Sequence, residues 1–397
     1  MGPAAGAAGA GAAARAVPAA CSRSDETGPV APLFFGRNIS IWKKCTLSAS
    51  LARRPAESRR RDAGFETAHD HGTTMRNDAE LVLLDKNVVE GLLAPDDVLD
   101  AVAAAFDLHR RGEGRVFPVI REPLATGGVF GIKAGDVQGE ALLGFKAAGF
   151  WPANRGLGGE PHQATVMLVD PATGRPRCLI DGNAITTMRT GAAGGLGLRA
   201  LARPDSRRVA LFGSGVQARV QLDFALRMLP SLDTVQYLTA RGEADPAFEA
   251  RFCERCAISH ARDADAAVAA SDVVITATPG GGALFAAGAV RPGTHVNAVG
   301  ADTRGKRELP AGLLERARLV VDDRVQARQI GEAQWAPQLD CVELGELLAA
   351  PRCPARGPDE ITVFDMTGLA LQDLTVARML FERAGAARLG MRVAWPW

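Results

Sequence analysis

The chain has 397 residues, of which 47% are hydrophobic and 23% are charged, and its formal net charge at pH 7 is +1. A chain of this length forms two domains or one large one. The balanced charge gives no sign of a nucleic-acid partner or of an acidic tail. No uninterrupted apolar run reaches the roughly 18 residues that a membrane-spanning helix needs. We therefore expect a soluble globular protein that binds neither nucleic acid nor a membrane.

Residues 1–74 differ in composition from the rest of the chain. They begin with a stretch of alanine and glycine and continue with arginine clusters and few acidic residues. Such a segment buries too little apolar surface to offset the entropy of folding, which predicts disorder. It is either an arginine-rich targeting peptide or a spurious extension upstream of a true start at Met75. We favour the extension because an ordered pattern begins directly after Met75.

The metal-ligating residue types do not form a convincing metal site. The cluster His69-Asp70-His71 lies in the segment that composition predicts to be disordered, and Cys253 and Cys256 are the only close cysteine pair. The seven cysteines are scattered and odd in number, which suits a reducing compartment such as the cytoplasm better than a disulfide framework. We therefore expect ordinary thiols and no bound metal.

The segment after Met75 predicts a mixed, mostly antiparallel sheet. An apolar strand candidate covers residues 81–84, and Pro95 begins a helix with apolar positions on one face. Further strand candidates follow, at residues 129–133, 142–147, 164–169 and 178–180. A long helix rich in small residues, 186–202, then leads to the next unit.

The next unit begins with an apolar strand, a tight glycine turn and a helix that ends near Met228. The turn consists of Gly213, Ser214, Gly215, Val216, Gln217 and Ala218. The first glycine allows the turn, the second lets the backbone approach a pyrophosphate, and the small Ala218 lets helix and strand pack closely. The helix N-terminus offers free N–H groups and a positive dipole end to the anion. This arrangement predicts a dinucleotide site.

Further strand candidates alternate with helices after the turn, as a doubly wound parallel sheet requires. They cover residues 235–239, 273–276, 295–298 and 319–321. The strand before Thr278 is expected to end at the cofactor. A helix at 342–348 and a strand at 361–364 follow, and we expect this C-terminal tail to return to the first domain.

Three isolated charges stand among apolar and glycine residues. Lys146 lies in a predicted strand, Arg189 in the first turns of a helix, and Asp302 just beyond a parallel strand. Singly, they suit a surface lysine, a structural ion pair and a helix cap. Together around a nicotinamide they suit an amino or imino acid. Arginine binds a carboxylate bidentately, lysine polarises or protonates, and aspartate relays a proton.

Several segments resemble the ornithine cyclodeaminase/mu-crystallin family over residues 81–388. They are GFK, DGNAITTMRTGAA, GSGVQA, NAVGADTRGKREL and TVFDMTGLALQDL. The resemblance implies a homodimer in which residues 75–195, completed by 325–397, form a substrate and dimerisation domain. It implies that residues 196–324 form a Rossmann domain, with the substrate between the two.

The resemblance also assigns roles to single residues. Lys146 matches the active-site lysine of the family, Arg189 its carboxylate-binding arginine, and Asp302 the acid/base aspartate of the cyclodeaminases, with Lys306 in the same motif. Residues of the glycine turn match the pyrophosphate-binding turn. Thr190, which follows the arginine, joins the predicted cofactor contacts.

Two positions depart from the cyclodeaminases of the family. Those that use NAD resemble one another in an acidic residue after the second strand of the nucleotide unit, for the ribose 2′-hydroxyl. Here Arg241 stands there, and it favours the 2′-phosphate of NADPH, unless it is a solvent-facing arginine. Lys133 stands where cyclodeaminases carry a glutamate for the amino end of the substrate, and a lysine repels an ammonium group.

These observations favour an NADPH- or NAD-dependent reductase of a small cyclic α-imino acid such as Δ1-pyrroline-2-carboxylate, with Lys133 in the substrate pocket. Three alternatives stay open. The chain could be an ornithine cyclodeaminase, which forms proline and ammonia with recycled NAD, or an alanine-type amino-acid dehydrogenase. It could also be a ligand-binding protein of the mu-crystallin kind, although retention of Asp302 argues for catalysis.

Overall fold

The computed structural model describes residues 79–350 and 356–395, so the predictions for residues 1–74 lie outside the described residues. The strands are β1 (Glu80–Leu84), β2 (Gly114–Val116), β3 (Ile120–Pro123), β4 (Val129–Val137), β5 (Leu142–Phe150), β6 (His162–Val169), β7 (Pro176–Asp181), β8 (Arg208–Phe212), β9 (Thr234–Leu238), β10 (Ala257–His260), β11 (Val273–Thr276), β12 (His295–Ala298), β13 (Ala317–Val321), β14 (Val342–Glu343), β15 (Ile361–Asp365) and β16 (Met391–Ala394). The α-helices are α1 (Lys86–Leu92), α2 (Pro95–Arg110), α3 (Gly182–Leu201), α4 (Val216–Met228), α5 (Pro246–Phe252), α6 (Ala264–Ala269), α7 (Arg324–Ile330), α8 (Leu344–Ala349) and α9 (Ala370–Ala387).

The first sheet has the strand order β16-β1-β7-β6-β5-β4-β2, and β3 also pairs with β4. Within the described residues, β1 and β7 form its one parallel pair. The mixed, mostly antiparallel sheet that the sequence predicts is therefore confirmed.

The long strands of the first sheet bury one face. Residues of β4 and β5 alternate between buried and half-buried, and α9 packs on the buried face. A Cβ at Gly144 would lie 2.8 Å from Leu374 Cδ2 of α9 and 2.3 Å from the Met167 carbonyl oxygen, so this close approach requires glycine. On the opposite face, Ile132, Phe145 and Met167 are only half-buried.

The second sheet is the doubly wound parallel sheet that the sequence predicts. Its strand order is β10-β9-β8-β11-β12-β15-β13-β14, and every neighbouring pair is parallel. The glycine turn follows β8, near the middle of the sheet. The carboxyl ends of β8, β11 and β12 therefore lie side by side, which is where such sheets bind ligands.

The C-terminal tail does not return as one piece to the first sheet. Strand β15 pairs with β12 and β13 in the parallel sheet, and β14 pairs with β13. The prediction that residues 325–397 complete the first domain is wrong for these two strands. All five residues of β15 are buried, and such an apolar strand suits a central position in a parallel sheet covered on both faces. Helix α9 and strand β16 do return to the first sheet.

Helix α3 connects the two sheets. It begins directly after β7, where the side chain of Asp181 accepts a hydrogen bond from Asn183 N, and it ends before β8. A Cβ at Gly194 would lie 2.0 Å from Gln221 Oε1, so its small residues allow close packing on α4. The predicted domain boundary between residues 195 and 196 thus falls inside one helix. No helix in the described ranges is long and apolar enough to span a bilayer.

Candidate active site

Lys146 lies on the buried face of β5 and contacts a carboxylate from a distant part of the chain. Its Nζ donates to Asp373 Oδ1 at 2.8 Å and to Thr186 Oγ1 at 3.2 Å. Burial and the nearby charge of Arg189 lower the pKa of Lys146 to about 7, while Asp373 opposes them. A lysine with such a pKa is able to give up a proton near neutral pH.

Arg189 reaches the same carboxylate from helix α3. Its Nε donates to Asp373 Oδ1 at 3.1 Å and its Nη1 to Gln372 Oε1 at 3.1 Å. The loop before α9 allows this position because Gly368 has a φ of +81°, and a Cβ there would lie 2.6 Å from Arg189 Nη1. These contacts use part of the guanidinium and leave further N–H groups for a ligand.

Lys133 faces the same cluster from β4, opposite Lys146 in the register of the two strands. Its Nζ donates to the Gly368 carbonyl at 2.8 Å and to the Thr367 carbonyl. Burial and the charges of Arg121 and Arg189 lower its pKa to about 8. The predicted pocket residues Lys133, Lys146 and Arg189 are thus brought together.

Asp302 lies just beyond β12 and is held by two cations. Its Oδ2 accepts from Arg121 Nη2 at 2.7 Å and its Oδ1 from Lys306 Nζ at 2.8 Å. Burial alone would raise the pKa of Asp302, but Arg121, Lys306 and Lys133 together hold it well below its usual value. Asp302 therefore carries a negative charge at neutral pH.

The sequence analysis missed two residues of this cluster. Arg121 comes from the short strand β3, whose mostly exposed residues give no pattern that marks a site. Asp373 lies in the first turn of α9, inside a segment that carried the family resemblance, but it received no role. A carboxylate among the apolar residues of this helix was the available signal, since buried charges are rare unless paired.

The glycine turn has the geometry that a dinucleotide requires. Gly213 has a φ of +113°, and a Cβ there would lie 2.8 Å from the Ala277 carbonyl oxygen. Helix α4 begins at Val216, and its N-cap, Gly215, has open space around its Cα and supplies no side-chain acceptor. The buried Oε1 of Gln217 has no hydrogen-bond partner. Free N–H groups beside an open glycine backbone fit a pyrophosphate, so the residues present fit the predicted cofactor.

The other predicted residues of the turn, and Thr278, lie at positions that are compatible with a bound dinucleotide. Ala218 is completely buried against the strand, whereas Val216 is 56% exposed at the mouth of the turn. The Ser214 carbonyl accepts a hydrogen bond from Arg219 Nε at 3.1 Å. Thr278 follows β11, and its hydroxyl donates to Glu308 Oε1 at 2.6 Å.

Glu308, which the sequence analysis also missed, joins the ends of two central strands. It is completely buried and accepts from Thr276 Oγ1 at 2.7 Å, from Thr278 N at 2.8 Å and from Gly300 N at 2.7 Å. These bonds fix the backbone where β11 and β12 end, beside the glycine turn. Glu308 thereby supports the floor of the candidate cofactor site.

Thr190 and Arg241 remain predicted cofactor contacts. The hydroxyl of Thr190 donates to the Thr186 carbonyl at 2.6 Å inside α3, and the Thr190 carbonyl accepts from Gln221 Nε2 at 2.8 Å. Arg241 is exposed in the turn after β9. This is the end of the second parallel strand of the unit, where the adenosine ribose of a dinucleotide lies in this fold.

Two other polar clusters of the described residues do not have the features of a catalytic site. A cavity of about 650 Å³ lies at the amino ends of the parallel strands, opposite the ligand-binding edge, and Arg207 and Asp233 in its wall pair with each other. Between α2 and the parallel sheet, His109 Nε2 lies 3.0 Å from Asp323 Oδ2 and 3.8 Å from Glu343 Oε2. Burial opposes protonation of His109, but the two carboxylates raise its pKa, which indicates an ion pair.

Comparisons with known proteins agree with this geometry. The iminosuccinate reductase of Paracoccus denitrificans is 33% identical over 314 residues, which cover 77% of this chain and 96% of that protein. An archaeal alanine dehydrogenase dimer with bound NAD has a TM-score of 0.73 at 32% identity and covers 79% of this chain and 99% of its own. The Δ1-pyrroline-2-carboxylate reductase of Thermococcus litoralis, in complex with NADH and L-proline, has a TM-score of 0.72 at 29% identity, over 79% of this chain and 100% of its own.

The family model described as the ornithine cyclodeaminase/mu-crystallin family matches residues 79–388. This span includes the lysine cluster, the glycine turn and Asp302, and it agrees with the resemblance that the sequence motifs indicate. The chain belongs to the ornithine cyclodeaminase/mu-crystallin family.

Proposed function

We propose that the protein reduces a small cyclic α-imino acid of the Δ1-pyrroline-2-carboxylate type, with a nicotinamide cofactor. The observation that carries this proposal is the pairing of Lys146 and Arg189 on one buried carboxylate, with Lys133 opposite Lys146. Such a cluster offers cations to a substrate carboxylate and a lysine to an imine nitrogen. The similar proteins, two reductases and a dehydrogenase, are named for reactions on amino or imino acids, which is the class of reaction proposed here.

Arg189 is the proposed anchor for the carboxylate. Asp373 and Gln372 hold its Nε and one N–H of Nη1, so the guanidinium is oriented before substrate binds. The N–H groups that remain are able to bind a carboxylate in the bidentate geometry that arginine favours. An anchored carboxylate fixes the neighbouring α-carbon, and this positioning supplies much of the rate.

Lys146 is the proposed proton donor. Its pKa of about 7 lets it carry a proton below neutral pH and lose it readily to an imine nitrogen. A bound nicotinamide supplies the hydride that the α-carbon receives. The buried position of Lys146, which is only 4% exposed, keeps water away from the nitrogen during transfer.

Asp302 has a different proposed role because it is ionised. Its contacts with Arg121 and Lys306 favour the carboxylate, which accepts protons and stabilises a cationic iminium but does not donate a proton at neutral pH. The relay of a proton toward the imine nitrogen through Asp302, expected from the sequence, thus becomes less favoured than donation by Lys146.

Arg241 supports NADPH as the preferred cofactor. Its exposed side chain is free to reach a 2′-phosphate, and no acidic residue directly follows β9 to bind a 2′-hydroxyl. Arg241→Ala should raise the KM for NADPH by about 10-fold or more and leave the KM for NADH unchanged, because one charge-assisted contact is lost. Arg208→Ala, an exposed arginine at the amino end of β8 and thus at the opposite edge of the sheet, is the matched control.

We also propose a homodimer in the cytoplasm. The half-buried face of the first sheet, which includes Ile132, Phe145 and Met167, is apolar enough to pair with a second copy. The archaeal alanine dehydrogenase above is described as a dimer. Light scattering on the purified chain tests this assembly, and a monomer at micromolar concentration would contradict it.

The cyclodeaminase and ligand-binding alternatives have less support. A cyclodeaminase must hold the side-chain ammonium of its substrate, and the buried Lys133 repels such a group. A protein that only binds ligands does not need Asp302 held between two cations.

Cofactor absorbance and ammonia, followed together on the purified full-length chain, test the proposal. One reaction contains NADPH and Δ1-pyrroline-2-carboxylate, and the other contains NAD and L-ornithine. We expect rapid NADPH consumption in the first and no ammonia in the second. Ammonia and proline from ornithine without net NADH would contradict the proposal, and so would NADPH binding without turnover of the imine.

A further inference from the structure

We infer that Asp373 is the positioning residue of this site: one buried carboxylate from α9 fixes both the ammonium of Lys146 and the guanidinium of Arg189 for their work on the substrate. The inference rests on the proposed function for the identity of the substrate. The electrostatic coupling between Asp373, Lys146 and Arg189 is a property of the protein alone, so this part of the inference does not depend on the proposed function.

The geometry of Asp373 is that of a shared counter-ion. The residue is completely buried, and its carboxylate lies 2.8 Å from Lys146 Nζ and 3.1 Å from Arg189 Nε. Lysine and arginine come from β5 and α3, so the carboxylate connects three elements at one point. Its Oδ2 lies close to Lys146 Nζ but lacks a properly oriented hydrogen-bond donor. The carboxylate thus has acceptor capacity beyond the bonds that it makes.

The side chains around Lys146 are mainly cationic, and the Asp373 carboxylate offsets their charge. Arg189 on α3, Lys133 on β4 and His162 on β6 all lie near enough to interact electrostatically with Lys146 or to be affected by it. Two of these are permanent or near-permanent cations, and His162 is neutral because burial lowers its pKa to about 4. Asp373 is therefore the negative charge that keeps a proton on Lys146 in a buried, cationic pocket.

Loss of the negative charge of Asp373 should lower the pKa of Lys146. Asp373→Asn keeps the shape but leaves Lys146 among cations, so its pKa should fall further. If Lys146 donates a proton, the alkaline limb of the kcat/KM profile should move to lower pH by about one unit or more. Above the wild-type midpoint, kcat/KM should then fall about 10-fold to 100-fold. Asp373→Glu keeps the charge and should return the limb toward its wild-type position.

A matched control separates positioning from stability. Asp365 in β15 is also completely buried, and its Oδ2 accepts a hydrogen bond from Ala333 N at 2.9 Å rather than from Lys146. Asp365→Asn should lower stability without moving the alkaline limb. Cofactor affinity, measured by NADPH fluorescence, should stay within about 3-fold of wild type in Asp373→Asn, because the glycine turn is untouched.

A direct titration keeps the test independent of the substrate. The Cε signals of ¹³C-labelled lysines, assigned with Lys146→Met, report the pKa of Lys146 in the full-length chain and in each variant. We expect a lower pKa in Asp373→Asn and a wild-type value in Asp365→Asn. An unchanged Lys146 pKa in Asp373→Asn, or an equal shift in Asp365→Asn, would overturn the inference. A wild-type chain that reduces no imine would contradict the proposed function, while the titration still decides the role of Asp373.

Discussion

Lys133 and Lys146 lie directly opposite each other on the antiparallel strands β4 and β5, with both side chains buried. Like charges at such a pair destabilise a sheet, and here the charge of Lys133 contributes to the lowered pKa of Lys146. Lys133 is held by two backbone carbonyls and Lys146 by Asp373. Burial and the neighbouring cations leave Lys146, with a pKa of about 7, partly deprotonated at neutral pH, and a bound carboxylate should favour proton uptake.

Removal of Lys133 should shift the pH dependence in the direction opposite to the loss of Asp373. Lys133 lowers the pKa of Lys146, so Lys133→Gln should raise that pKa and move the alkaline limb of kcat/KM to higher pH by roughly half to one unit. Lys133→Arg keeps the charge and is the control. A limb that stays in place in Lys133→Gln would show that the two lysines are not coupled.

Arg189→Lys should weaken substrate binding although it keeps the charge. A lysine cannot reproduce the planar fork that binds a carboxylate while held by Asp373 and Gln372. The KM for the imino acid should rise about 10-fold to 100-fold, as expected for the loss of a charge-assisted hydrogen bond. Arg199→Lys, an exposed position near the end of the same helix, should have no effect. Equal KM values for both variants would argue against a carboxylate anchor at Arg189.

The two glycines of the nucleotide turn should respond differently to alanine. Gly213 has a φ of +113° and a carbonyl oxygen 2.8 Å from its would-be Cβ, so Gly213→Ala should lower the free energy of unfolding by about 1–2 kcal/mol. Gly215 has ordinary φ and open space, so Gly215→Ala should fold with little loss. The new methyl group should nevertheless hinder a pyrophosphate and weaken NADPH binding. Urea unfolding and fluorescence titration separate the two effects, and tight NADPH binding by Gly215→Ala would place the pyrophosphate elsewhere.

The ion pair of His109 should make stability depend on pH. Burial lowers the pKa of His109, but Asp323 and Glu343 raise it more, so its folded pKa lies above the unfolded value. The stabilisation is therefore complete below the unfolded pKa near 6.5 and is lost as pH rises through the folded pKa. His109→Gln should cost about 1 kcal/mol at pH 6 and less at pH 9, measured by urea unfolding. An equal cost at both pH values would mean that the histidine is neutral in the folded protein.

The sequence alone predicts the parts of the site that carry a local pattern. The glycine turn, Lys146 in its strand and Asp302 beyond β12 each stand out from their neighbours. Asp373 does not, because its contact with Lys146 joins residues 227 positions apart and only the fold brings them together. The same limit applies to β15, since an apolar strand shows that it is buried but not which sheet it joins.

The position of β15 also determines when the protein can fold. This strand lies between β12 and β13, which precede it in the chain, and the segment after it brings Gly368 and Asp373 to the lysines. Until β15 has been synthesised, β12 and β13 each present an open edge, and the site has no counter-ion. The parallel sheet and the site therefore close only after nearly the whole chain has left the ribosome, and strand pairings between such distant segments form slowly.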